Sequence, residues 1–203
     1  MSQNRPRQNG MRAAIAAAAA RIMAESGIDN FALAKRKAAR QLGASDKQGL
    51  PGNDEIETEL RAYLDLYQTQ EHPDRIRQLR IIALSLMQEL EAFTPYLTGP
   101  VLKGIAGPYA EIELQLFPDS DKDVEMFLLN RNIAFSSTEI RRYSGDRARS
   151  VALLELEWES APVKLSLFDS RDERITLKCT QAGRVIGRAG INEVGALVRA
   201  AGG

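Results

Sequence analysis

The spacing of hydrophobic and polar positions changes near the middle of the chain. An alanine-rich run predicts a first helix, and apolar residues at intervals of three and four predict three more, over Met11–Ser26, Phe31–Leu42, Asn53–Tyr67 and Asp74–Phe93. Alternation of polar and apolar residues then predicts four strands, over Glu111–Phe117, Ala134–Tyr143, Ser150–Glu159 and Pro162–Phe168. Two further helices are predicted over Asp121–Asn130 and Ile191–Ala201. This order predicts an α+β fold with a mixed β-sheet and flanking helices, preceded by an N-terminal helical region.

Breaks in these patterns predict the domain organisation. Residues 1–10 are polar and predict a disordered tail. The helical pattern is interrupted at Gln68–Pro73, which we take as the boundary between an N-terminal helical region (11–73) and an α+β domain (74–203).

Composition excludes several classes of protein. With 203 residues, of which 44% are hydrophobic and 27% charged, the chain can bury one sizeable core, as a soluble globular protein does. The apolar run 13–20 is too short to span a membrane, so we expect no membrane partner and a cytoplasmic location. The single cysteine, Cys179, excludes an internal disulfide, and the single histidine, His72, excludes a multi-histidine metal centre. We interpret His72, which precedes a proline in a polar segment, as an ordinary linker residue.

Charge is unevenly distributed along the sequence. Residues 1–50 carry nine Lys or Arg side chains against three Asp or Glu side chains. The basic N-terminal helices could therefore attract an anionic partner, either a nucleic acid or a nucleotide. Two helices joined by a short turn also have the pattern of a helix-turn-helix, although a helical hairpin that only packs, with a solvated charged face, has the same pattern.

The candidate chemistry lies in a glycine-rich turn and the strand after it. Glu111 and Glu113 are two residues apart in an alternating segment, so their carboxylates share one face of a strand. Mg²⁺ prefers one or two carboxylates together with phosphate oxygens, and glycine lets a backbone approach phosphate groups closely. The pattern therefore indicates a metal and nucleotide site at Glu111 and Glu113, beside Gly99 and Gly104.

These residues resemble the signature of the DNA polymerase β-like nucleotidyltransferase superfamily. Gly99, Lys103 and Gly104, followed by the Glu111 and Glu113 pair, match its order of glycine loop and acidic strand. The resemblance implies that Glu111 and Glu113 are catalytic and hold Mg²⁺, and that Gly99, Lys103 and Gly104 bind the nucleotide. A surface lysine in a turn is the alternative for Lys103.

The sequence also departs from that signature. Pro100 replaces the usual serine, and both aspartates appear as glutamate. The superfamily places a third carboxylate on a neighbouring strand, and by the order of elements this position falls at Lys164. An ammonium there would repel a second metal ion, and Lys164 could instead form an ion pair with Glu111 or Glu113. Glu155 and Glu157 are substitutes for the missing carboxylate or members of a solvated face.

Two functions follow from the resemblance. The first is Mg²⁺-dependent transfer of a nucleoside monophosphate from a nucleoside triphosphate, most simply ATP, to a hydroxyl of a small molecule, RNA or protein. The second is a nucleotidyltransferase fold that has lost catalysis and acts as a binding or regulatory module. A third option is nucleic-acid binding through the basic N-terminal helices. Arg141, Arg142 and Arg147 could also bind phosphate from the end of their strand, or be solvated.

Overall fold

A computed structural model of the chain describes residues 4–26, 28, 30–44, 49–67, 71–144, 147–175, 177–178 and 186–201. The described residues form seven α-helices: α1 (Asn4–Ser26), α2 (Phe31–Gln41), α3 (Asn53–Tyr67), α4 (Glu71–Glu89), α5 (Gly99–Lys103), α6 (Asp121–Asn130) and α7 (Ile191–Ala200). They also form six strands: β1 (Tyr96–Thr98), β2 (Ile112–Leu116), β3 (Phe135–Ser144), β4 (Arg147–Trp158), β5 (Ala161–Leu167) and β6 (Leu177–Lys178). The predicted α+β class is confirmed.

The chain divides into two compact units. The first comprises Met1–Pro73 together with Ile105–Ala110, and the second comprises Asp74–Gly104 and Glu111–Gly203. Among the described helices, none combines the length and the hydropathy that a membrane span needs.

The first unit is a small helical assembly in which α1 packs against both α2 and α3. Much of the core of this unit is alanine, whose small side chain lets helices approach closely. The buried residues include Ile15, Ala16, Ala19, Ala20, Ala34, Ala38, Ile56, Leu60 and Leu64. Asn30 caps the N-terminus of α2, because its Oδ1 accepts a hydrogen bond from Leu33 N at 3.0 Å.

The helix starts differ from the prediction in two places. The first helix begins at Asn4 instead of Met11, so residues 4–10 are helical and do not form the predicted disordered tail. Arginine and glutamine are good helix formers, and a proline near a helix N-terminus, such as Pro6, breaks no established hydrogen bond. The fourth helix begins at Glu71, and residues 68–70 of the predicted boundary lie outside the described residues. His72 is therefore a helical residue with only 6% exposure, and its interpretation as a linker residue is wrong.

The second unit is built on the six-stranded sheet, in the order β1-β2-β5-β4-β3-β6. The central pair β2 and β5 is parallel, and the other pairs are antiparallel, which confirms the predicted mixed sheet. One face is apolar and buried, with Ile112, Leu114, Leu116, Val163, Leu165, Leu167, Leu154 and Leu156. Other buried side chains of this unit come from α4 and α6, such as Leu86, Leu90, Val124 and Leu128.

The four predicted strands are present with end points shifted by at most three residues, and α6 has the predicted bounds. The hairpin between β4 and β5 turns at Glu159 and Ser160, one residue earlier than predicted. Both turn residues have positive φ, 47° and 64°, as a two-residue turn needs to match the twist of the strands. Cys179 lies outside the described residues.

Candidate functional site

A row of polar side chains crosses the sheet on the face opposite the core. Thr98 lies opposite Glu113, Glu113 opposite Lys164, Lys164 opposite Glu155, and Glu155 opposite Ser136. Directly paired residues of neighbouring strands project to the same side of a sheet. These five residues therefore form one continuous row, which we call the polar row. It spans five of the six strands.

Lys164 is the electrostatic centre of the polar row. Its Nζ lies 2.5 Å from Glu111 Oε2 and 3.3 Å from Glu155 Oε1. Burial by itself would lower the pKa of Lys164, but the hydrogen bonds and charges of the two glutamates outweigh it, so the pKa lies above its ordinary value. The ammonium is thus held in its charged form between carboxylates from two strand segments. The structure contains the ion pair with Glu111 that the sequence left open as the alternative to a metal ion.

Glu113 lies against the backbone at the start of α5. Gly99 has a φ of 69°, and a Cβ atom added to it would lie 2.7 Å from both Cδ and Oε2 of Glu113. A side chain at this position would meet both a strained backbone and the carboxylate. Gly99 therefore permits the close approach of the Glu113 carboxylate. Its predicted role in the approach of phosphate groups stays a prediction.

Arg80, for which the sequence predicted no role, caps the C-terminus of α5. Arg80 donates from Nε to Val101 O at 3.1 Å and from Nη2 to Leu102 O at 2.8 Å. These bonds satisfy carbonyls that a helix leaves unpaired at its C-terminus. Gly104 ends the helix with a φ of 72°, and Arg80 Nη2 lies 3.4 Å from the position of its missing Cβ. Arg80 is six residues into a regular helical pattern after Asp74, so no local signal distinguished it.

The structure brings only some of the predicted site residues close together. Gly99, Glu111, Glu113 and Lys164 lie together at the polar row. Lys103 is exposed in the last turn of α5 and Gly104 follows it. A separation of four residues along a helix is about 6 Å, so Lys103 and Gly104 are at the opposite end of α5 from Gly99.

A second polar concavity lies where the parallel strands β2 and β5 end. The segments after these strands, with part of β4, line an open cavity of about 290 Å³ that includes Asp119, Asp121, Asp169 and Asp172. Asp172 is 2% exposed, and its Oδ2 lies 3.4 Å from Arg149 Nε. Burial raises the pKa of Asp121, and the charges of Glu125 and Asp169 add to the effect. Sequence reasoning missed Asp172, because its spacing does not distinguish a buried aspartate from an exposed one.

The polar row does not fit a Mg²⁺ site in the arrangement seen here. The ammonium of Lys164 engages Glu111, and an ammonium repels a dication that would share that carboxylate. Across the described residues, no group of three or more His, Cys, Asp or Glu side chains is placed to hold a metal ion. The assignment of Glu111 and Glu113 as metal ligands stays a prediction.

Comparison with known proteins assigns no family to the chain. No protein-family model matches the sequence, and no curated protein matches it significantly.

Proposed function

We propose that residues 74–203 form a nucleotidyltransferase-like domain that acts as a binding or regulatory module and does not transfer nucleotides. The observation that carries this proposal is the position of Lys164, paired in register with Glu113 and bonded to Glu111 and Glu155. In the superfamily that the sequence resembles, this position would carry the third carboxylate.

The chemistry of two-metal catalysis explains why this replacement matters. Mg²⁺ bound by carboxylates would supply positive charge that stabilises the transferring phosphoryl group. Lys164 supplies a positive charge in place of a negative one and uses Glu111 as its own counter-ion. The chain thus supplies Glu111 with an internal counter-ion and has one carboxylate fewer with which to bind a cation.

A second candidate function is Mg²⁺-dependent nucleotidyl transfer from a nucleoside triphosphate, most simply ATP. In that reaction an acceptor hydroxyl oxygen bonds to the α-phosphorus, pyrophosphate leaves, and the hydroxyl proton passes to a base. The close approach of Glu113 to Gly99 favours this candidate, because it is the juxtaposition that the signature implies. Lys164 would have to release Glu111 before that carboxylate could serve a metal ion.

The two candidates are separated by Lys164→Asp, which places a third carboxylate at the polar row. We expect the melting temperature of wild-type protein to be unchanged by millimolar MgCl₂, relative to NaCl of equal ionic strength. The Lys164→Asp variant should gain Mg²⁺-dependent stability: at about 100 times the dissociation constant, binding stabilises by about 2.7 kcal/mol. For a chain of this size each kcal/mol corresponds to about 2–4 °C.

Lys164→Gln is the matched control, because it removes the ammonium without adding a carboxylate. It should respond to MgCl₂ less than Lys164→Asp does. A wild-type melting temperature that rises with Mg²⁺ as much as that of Lys164→Asp would contradict the proposal and favour the enzyme.

A further inference from the structure

The outer ends of β3 and β4 extend past the end of β5, which pairs with β4 from Ala152 onward. The two-residue strand β6 pairs with β3 at Tyr143 and Ser144, the last residues of that strand. Residues 136–139 and 147–150 are exposed in consecutive positions, so side chains on both faces of this part reach solvent. We call residues 139–144 and 147–150 the ribbon.

The ribbon carries four arginines, and three of them share one face. Arg142 lies directly opposite Arg149, and Arg147 is two residues from Arg149 on the same side of β4. Like charges placed directly opposite each other on neighbouring strands destabilise a hairpin unless an anion lies between them. Repulsion between these guanidinium groups therefore destabilises the hairpin, and a bound anionic ligand would offset this destabilisation.

The charges on this face are only partly neutralised. Arg149 Nε lies 3.4 Å from the buried carboxylate of Asp172, and the rest of its guanidinium retains donors, since arginine has five N–H groups. Within the described part of the chain, Arg142 and Arg147 form no ion pair with an acidic side chain. Arg142 Nη1 donates to the carbonyl oxygen of Arg141, at 3.2 Å.

We propose that the Arg142, Arg147 and Arg149 face of the ribbon binds the phosphate backbone of a nucleic acid. Guanidinium groups bind phosphate oxygens through paired N–H donors. Residues two apart on a strand are about 6.6 Å apart, so Arg147 and Arg149 offer separate contacts along a chain of phosphates. This inference goes beyond the proposed function and does not depend on it.

Fluorescence anisotropy with the full chain tests the proposal. The probe is a labelled oligouridine RNA of about 20 nucleotides, titrated between about 50 and 200 mM salt. The test variant is Arg142→Gln/Arg147→Gln. Arg149 is kept, because removing it would leave Asp172 buried without its basic neighbour.

The matched control is Arg36→Gln/Arg40→Gln, which removes two exposed arginines from α2, where neither pairs with an acidic group among the described residues. We expect the ribbon variant to bind RNA about tenfold more weakly and the slope of log affinity against log salt to fall by about 1.4, or about 0.7 for each lost contact. The control should bind as the wild type does. Circular dichroism checks that both variants are folded.

The proposal would be overturned by the absence of wild-type binding at the lowest salt, by an unchanged affinity of the ribbon variant, or by an equal loss of affinity in the α2 control. Displacement of the RNA by polyglutamate as effectively as by unlabelled RNA would identify an acidic protein surface as an equally good ligand, and would overturn the assignment to nucleic acid. None of these outcomes depends on Mg²⁺ or on Lys164, so they leave the proposed function to its own test.

Discussion

Replacing Gly99 with alanine tests the geometry of the polar row most sharply. The residue has a φ of 69°, and its missing Cβ would lie 2.7 Å from Cδ and Oε2 of Glu113. The substitution therefore combines backbone strain with displacement of a carboxylate. These two contributions can be separated because each depends on a different part of the structure.

The expected magnitude follows from the two contributions. A left-handed conformation costs a non-glycine residue about 1–2 kcal/mol. The Glu113 carboxylate is the end of a flexible side chain and can move, so its displacement should add only about 0.5–1 kcal/mol, in the lower range of couplings between contacting residues. Together they amount to about 2 kcal/mol, which lowers the melting temperature by about 4–8 °C for a chain of this size.

The assay is urea unfolding of Gly99→Ala in the wild-type background and in a Glu113→Ala background. In the second background only the backbone strain should remain, and the difference between the two costs gives the coupling energy. Gly104→Ala is a matched control, since Gly104 has a φ of 72° and its missing Cβ would lie 3.4 Å from Arg80 Nη2. Gly104→Ala should show the backbone cost without coupling to Glu113.

An equal cost for Gly99→Ala in both backgrounds would refute the close approach of Glu113 to Gly99. A cost below that of Gly104→Ala would also refute it, because the backbone contribution is common to both glycines.

Three further predictions concern single side chains. Lys164→Gln should lower the free energy of unfolding by only about 0.5–1 kcal/mol, because the ion pairs that it removes are partly exposed. The pKa of Lys164 is raised above 10.5, so the wild-type protein should be the more stable of the two at neutral pH and should lose this advantage as the pH rises through the folded-state pKa. Urea titrations at alkaline pH would show this loss. Hydrogen bonds from Arg12 and Gly52 N lower the pKa of Glu55 from 4.5 to about 2. The carboxylate of Glu55 therefore contributes to the free energy of unfolding above pH 4.5, and this contribution is lost as the pH falls through about 2. Glu55→Gln should make the free energy of unfolding less dependent on acid pH, which circular dichroism can follow. Ser160→Gly should raise the free energy of unfolding by about 0.5–1 kcal/mol, because it relieves a φ of 64°, and a lower melting temperature would contradict this.

Periodicity predicted the regular parts of the fold because one face of each element is buried. The alternation in β2 and β5 predicted which side chains face the core, and the polar face that remained contains Glu113 and Lys164. The resemblance to the signature singled out Lys164 as the residue at the third-carboxylate position, and the register places it beside Glu113.

The remaining features depend on contacts between distant residues. The polar row requires β5 to lie between β2 and β4, and local periodicity does not predict the order of strands in a sheet. The short helix α5 has only five residues and is closed by Arg80, which is distant in sequence. The burial of His72 and Asp172 is likewise set by packing. Local sequence propensity predicts neither the strand order, nor the contact of Arg80 with α5, nor the burial of these two side chains.

We propose that Lys164 takes the place of a metal-binding carboxylate at the polar row. Calorimetric titration of ATP into the wild-type protein, with and without Mg²⁺, tests this replacement. We expect no Mg²⁺-dependent binding at millimolar ATP. Binding that requires Mg²⁺ and is lost in both Glu111→Gln and Glu113→Gln would contradict it and would establish the pair as a metal and nucleotide site.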